Sequence, residues 1–124
     1  MPATLAFIDL NKFKSINDEF GHAEGDRALI SFSGLLHELC RESDVFARLG
    51  GDEFFALFPN ASKKEVELII ARLDKQVASY NQSSKRGYDL SYAFGIAEYN
   101  AKLHNDIEGL LSDADAKIFE SKTH

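Results

Sequence analysis

Val45-Phe46-Ala47-Arg48-Leu49 and Phe54-Phe55-Ala56-Leu57-Phe58 are two β-rich runs separated only by Gly50-Gly51-Asp52-Glu53. A short glycine-containing link between such runs reads as a β-hairpin. Both runs are apolar at nearly every position, which predicts a hairpin in the middle of a sheet. Pro59 and Asn60 close the second strand.

The rest of the chain supplies partners for that hairpin. Leu5-Ala6-Phe7-Ile8 is a short apolar run that stops at Asp9, as a buried strand with a carboxylate at its C-terminal end would. Asn11 to Asp26 is mostly polar and predicts a short helix followed by a loop. From Gly25 to Cys40, the residues Leu29, Phe32, Leu36, Leu39 and Cys40 recur at helical spacing. Ser62-Lys63-Lys64-Glu65 carries the capping-box pattern of a helix start, and Val66, Ile69, Ile70, Leu73 and Val77 continue that helix with one apolar face. Asn81 to Gly87 reads as a loop. Tyr88 to Tyr99 reads as a strand in which Gly95 marks a site of close backbone approach. Ile107, Leu110, Leu111, Ala114 and Ile118 mark a last amphipathic helix. Helices with clean apolar faces need a sheet to cover, so the expected class is α+β: one mainly antiparallel sheet with flanking helices.

The chain has 124 residues, 44% of them hydrophobic, which is one domain with enough apolar side chains for a core. No apolar run approaches the roughly 20 residues that span a bilayer, and no secretory leader is visible. Cys40 is the only cysteine. An internal disulfide is therefore excluded, and core packing is the expected role of this thiol. The net charge of −6 argues against a grip on long nucleic acid. It leaves open a small nucleotide bridged to carboxylates by a divalent cation.

Asp9, Asp52 and Glu53 are the carboxylates that could do this. If the hairpin pairs beside the first strand, they converge at one end of the sheet, where cations or protons must offset their repulsion. Magnesium is held by one or two carboxylates plus substrate phosphates. Two such ions about 3.5–4 Å apart polarise a phosphoryl group and activate a hydroxyl. Gly50 and Gly51 would leave clearance for a phosphate or ribose over the turn. Composition alone reads these four residues as a solvated turn.

Three stretches in order resemble the GGDEF domain of diguanylate cyclases. They are Asp9-Leu10-Asn11-Lys12-Phe13-Lys14-Ser15-Ile16-Asn17-Asp18, Phe20-Gly21-His22-Ala23-Glu24-Gly25-Asp26, and Arg48-Leu49-Gly50-Gly51-Asp52-Glu53-Phe54. Weaker matches run from Ser91 to Ala97 and from Ala114-Asp115 to Lys122. The resemblance implies a fold like that of nucleotidyl cyclases and polymerase palm domains, a ferredoxin-like arrangement. It implies an enzyme that condenses two GTP into cyclic di-GMP and pyrophosphate. Each active site would use two Mg2+, with Mn2+ as the alternative ion. Asp9, Asp52 and the Leu10 carbonyl would be metal ligands, and Glu53 would support the second metal. Asp52, Glu53 or a bound water would take the proton of the ribose 3′-hydroxyl. Asn17 and Asp26 would recognise guanine, whose carbonyl and N1–H/amine edge suits an amide and a carboxylate. Lys14 and Lys122 would neutralise the triphosphate, although either lysine alone reads as solvated. Asn11 stands where the family often has a second aspartate. His22 reads as structural.

Arg41-Glu42-Ser43-Asp44 matches the RxxD inhibitory motif of such cyclases at the right offset from Gly50, with Arg72 as a second arginine. The alternative for RxxD is a local ion pair after a helix. The segment that usually precedes the first strand in the family is missing, and so is a phosphate-contacting segment after Lys122. The expectation is therefore a single catalytic domain over residues 1–124, cut from a larger signalling protein. The implied partners are GTP, cyclic di-GMP, a second copy for catalysis, and a sensory or regulatory domain. The implied location is the cytoplasm, with any membrane anchor elsewhere in the full-length protein. The rival function is a weak or inactive GGDEF domain that serves as a GTP or cyclic di-GMP receptor.

Overall fold

The computed structural model describes the backbone over residues 3–122 and the side chains over residues 3–118. The elements are β1 (Ala3–Leu10), α1 (Phe13–Phe20), α2 (His22–Leu39), β2 (Val45–Gly50), β3 (Glu53–Pro59), α3 (Lys63–Ser84), β4 (Tyr92–Glu98) and α4 (Ile107–Lys122). The sheet has four strands in the order β2-β3-β1-β4, and every pair is antiparallel. This is the expected α+β class, with the ferredoxin-like strand order and helices on both faces.

Strand alternation sorts β1 between two cores. Ala6, Ile8 and Leu10 face α2 and α3, together with Phe32, Leu36, Phe54, Phe58, Val66 and Leu73. Leu5 and Phe7 face α4, with Ala93, Ala97, Leu110, Ala114 and Ile118. A strand covered on both faces must be apolar at nearly every position, which is why Leu5 to Ile8 is one unbroken run. Each fully buried Phe or Leu contributes about 1.5–3 kcal/mol. The Phe32 and Phe54 rings meet tilted at 5.4 Å, locking α2 onto β3.

The structure corrects four sequence expectations. The hairpin is not wholly central: β3 is interior, but β2 is an edge strand with Val45 and Leu49 exposed. Phe46 packs on the α2/α3 side, whereas, among the described residues, α4 packs chiefly on β4 and β1 and not on β2. The expected loop before Asp26 is only Gly21, whose φ of 93° turns the chain from α1 into α2 in one residue. Helix α3 runs on to Ser84 rather than stopping before Asn81. The Asn81 amide explains this: Nδ2 donates to the Leu90 carbonyl at 2.8 Å and Oδ1 accepts from the Leu90 N–H at 2.7 Å. The helix end is thereby tied to the entry of β4, which starts at Tyr92 instead of Tyr88.

Other expectations are met. The Ser62 hydroxyl accepts from the Glu65 N–H at 3.2 Å and caps α3. At Gly95 the backbone of α4 lies directly on β4: an added Cβ would sit 2.7 Å from the Ile118 nitrogen and nearer still to the Ala114 carbonyl oxygen. Cys40 is half-buried beside the α2/α3 core, and burial pushes its thiol up, as expected of an inert packing residue.

Ahead of α4, His104 is buried. Its Nδ1 accepts from the Asn100 N–H at 3.0 Å, so Nε2 carries the proton donated to Asp113 Oδ2 at 2.8 Å. This hydrogen bond, against the opposing effect of burial and with help from Lys117, holds the Asp113 carboxyl below its ordinary value near 3.8. The folded pKa is depressed, so the stabilisation is complete above the ordinary value and is lost as pH falls through the folded one. Denaturant unfolding of wild type and Asp113→Asn should therefore show a full stability gap near pH 7 that shrinks as pH falls below the ordinary carboxyl value. A gap independent of pH would refute this account of the pair.

Candidate active site

The C-terminal end of β1 is stitched on both sides. Asp9 is the register partner of Glu53, and the Leu10 N–H donates to the Asp52 carbonyl at 3.0 Å. On the other side the Asn11 N–H donates to the Ser91 carbonyl at 2.9 Å. Asp9 follows Leu5 and Phe7 in alternation, and Glu53 precedes Phe55 and Leu57, so both acids belong to the α4 face of the sheet. Directly opposed residues of an antiparallel pair have Cβ atoms about 4.5–5.5 Å apart. One Asp9 carboxylate oxygen is shielded from water, and Asp52 and Glu53 are both half-buried.

The turn beside these acids depends on its glycines. Gly50 has φ 143° and Gly51 φ 52°, a backbone that other residues resist. Arg48 Nε fastens the tip by donating to the Gly51 carbonyl at 2.9 Å. Nothing lies within 4 Å of an added Cβ at either glycine, so the space above the turn is open. Among the described residues, no group of three or more His, Cys, Asp and Glu side chains forms a ready metal cage. The expected convergence is therefore one of strand ends and not of a closed carboxylate cluster. Such a donor set fits magnesium, which commonly takes one or two carboxylates and completes its shell with water and phosphate oxygens.

The residues expected to read a base lie on the helix pair that follows. Asn17, half-buried in α1, rests on the backbone of α2: an added Cβ at Gly25 would fall on the Asn17 amide oxygen. Gly25 thus admits the Asn17 side chain next to Asp26, which is exposed in the first turns of α2. The Asn17 carbonyl accepts from the Gly21 N–H at 2.9 Å and ends α1. Lys14 is exposed on α1. The Lys122 side chain lies outside the described residues.

Arg41 and Asp44 come together after α2. Asp44 Oδ2 accepts from the Arg41 N–H at 2.7 Å and from Nε at 3.3 Å, while Oδ1 accepts from Nη2 at 3.1 Å. Nη2 also donates to the Pro59 carbonyl at 3.0 Å. The pair is therefore a local ion pair, with the Arg41 side chain 53% exposed. Arg72 is exposed on α3.

A model of the diguanylate cyclase GGDEF domain matches residues 1–124 of the chain. The chain belongs to the GGDEF family. It is similar to the probable diguanylate cyclase DgcE of Escherichia coli K12, with 37% identity over 119 residues, covering 95% of this chain and 11% of DgcE. It is also similar to the diguanylate cyclase DosC of the same strain, with 35% identity over 123 residues, 98% of this chain and 26% of DosC. The chain thus spans only a small part of the curated relatives it matches. Among solved structures, the isolated GGDEF domain of YfiN (TpbB) from Pseudomonas aeruginosa superposes with a TM-score of 0.86 at 35% identity, over 98% of this chain and 72% of that one. Among the described residues of this GGDEF domain, no helix is long and apolar enough to cross a membrane.

One set of contacts within these motifs escaped sequence reasoning. Glu24 accepts from Tyr88 and Arg86, far along the chain. Its position inside the Phe20-to-Asp26 stretch was the available signal, but nothing in the sequence pairs it with residues beyond α3.

Proposed function

We propose that this GGDEF domain is a diguanylate cyclase core in which two copies, each holding one GTP, form cyclic di-GMP. The observation that carries this reading is the register of Asp9 against Glu53, with Asp52 and the open glycine turn at the same strand ends. The 3′-oxygen of each GTP attacks the α-phosphorus of the other, the bond to the β-phosphate oxygen breaks, and pyrophosphate leaves. Asp52, Glu53 or a water between them takes the hydroxyl proton. Asp9, Asp52, the Leu10 carbonyl and Glu53 would hold magnesium, or manganese in its place; when bound, the metal would acidify the hydroxyl and offset phosphate charge. Asn17 and Asp26 grip the guanine edge, Lys14 and Lys122 neutralise the triphosphate, and the remaining work is positioning. A sensory or regulatory domain in the whole protein would control how two copies meet.

The test is to incubate the concentrated chain with GTP and Mg2+ and to follow cyclic di-GMP by chromatography. Slow formation of product from GTP, and none from ATP, is the expected result. Magnesium-dependent GTP binding without product would favour the receptor reading, and absence of both would reject the assignment.

We further propose that Arg41, Asp44 and Arg72 bind the product and limit turnover. Arg41 keeps an exposed guanidinium edge, pre-oriented by Asp44 for phosphate or a guanine edge. Arg41→Ala should weaken cyclic di-GMP binding about tenfold or more in calorimetry. Unchanged affinity would leave the motif as an ion pair only.

A further inference from the structure

Gly21 is the single residue between α1 and α2, and its neighbours on both sides are held by residues 85–91, which lead from α3 into β4. On the α1 side, the Phe20 ring lies 5.1 Å from that of Tyr88. On the α2 side, Glu24 Oε1 accepts from the Tyr88 hydroxyl at 2.8 Å and from Arg86 Nη1 at 2.9 Å. Arg27 Nε stands 3.9 Å from the other carboxylate oxygen. The passage past Phe20 is close: an added Cβ at Gly87 would lie 3.1 Å from its ring. Burial pushes the Tyr88 hydroxyl up to about 12, so it remains a donor at any ordinary pH.

On α2, Glu24 faces away from the proposed base-reading residue Asp26. Glu24 precedes Asp26 by two residues, roughly 200° around the helix. It turns toward residues 85–91 while Asp26 stays exposed. The joint between the helices is one glycine with a wide conformational range, so contacts on its flanks fix its angle together with the seat of Asn17 on Gly25. Asn17 sits on α1 and Asp26 on α2, so the same angle sets their spacing. We propose that Tyr88 and Arg86, acting through Phe20 and Glu24, are positioning residues that hold Asn17 and Asp26 at the separation guanine requires. This deepens the cyclase reading and rests on its assignment of those two residues to the base.

The test measures magnesium-dependent binding of GTP and of ATP to the whole chain, for wild type, Glu24→Ala, Glu24→Gln and Tyr88→Phe, with folding checked by circular dichroism. Glu24→Ala should weaken GTP about tenfold and narrow the preference for GTP over ATP. Tyr88→Phe should weaken it about threefold, and Glu24→Gln, which keeps an acceptor for Tyr88, should restore GTP to within about threefold of wild type. If Glu24→Ala fails to fold, Tyr88→Phe, which deletes one oxygen, carries the test. Wild-type affinity and preference in the folded variants would overturn the proposal while leaving the cyclase reading intact. So would an equal loss for both nucleotides. A wild-type chain that does not prefer GTP would instead sink the base assignment itself, and this proposal with it.

Discussion

Asp52→Ala is expected to lower cyclic di-GMP formation at least about a thousandfold without unfolding the domain. The two halves of this expectation have separate causes. Asp52 contributes to the fold through its backbone, whose carbonyl accepts from the Leu10 N–H, and alanine keeps that bond. The residue is half-buried at a turn, with no apolar side chain to lose. Its carboxylate, by contrast, is one of the few groups at the strand ends that would hold the cation offsetting a triphosphate, and alanine offers no ligand in its place. GTP binding should depend less steeply on magnesium, and the thermal midpoint should stay within about 3 °C of wild type. Turnover within about twofold of wild type would overturn the metal assignment.

Gly95→Ala is the largest stability effect expected outside the cores. The added methyl would meet the Ala114 carbonyl and the Ile118 nitrogen, both backbone atoms of α4. A side chain could rotate away, but a helix backbone can yield only by lifting α4 from β4, taking Ala114 and Ile118 out of their packing. Overpacking of this kind costs about 3 kcal/mol. For a domain of this size that is about 10 °C in thermal midpoint. Gly34 on α2 offers the contrast, since nothing lies within 4 Å of its added Cβ. Gly34→Ala should therefore gain about 1 kcal/mol from helix propensity. Equal midpoints for the two variants would show that α4 is not seated on Gly95.

Much of this architecture was legible in the residues, and what was missed has physical reasons. Helices α3 and α4 announced themselves because one face of each is apolar at helical spacing, and Ser62 with Glu65 marked where α3 begins. Helix α1 was harder to separate from a loop, although Phe13, Ile16 and Phe20 follow the same period, because only Ile16 of the three is buried. Glycine at position 21 reads as a loop signal, while its φ of 93° in fact joins two helices with nothing between them. The edge position of β2 was hidden because apolarity records what a strand can tolerate and not what covers it. At the site, the motifs gave residue types and order. They could not show that Asp9 lies opposite Glu53, because register depends on the pairing of strands that are 43 residues or more apart in the chain. Nor could they show Glu24 meeting Tyr88, since 64 positions separate the two.

Strand β1 carries a hydrogen-bonded neighbour on each side, β3 and β4. To move the backbone of Asp9 away from that of Glu53, thermal motion would have to unzip the middle of the sheet, an opening whose free energy approaches that of global unfolding. The interval between those two acids is therefore a property of the folded state as a whole, and a passing local fluctuation at the surface leaves it unchanged.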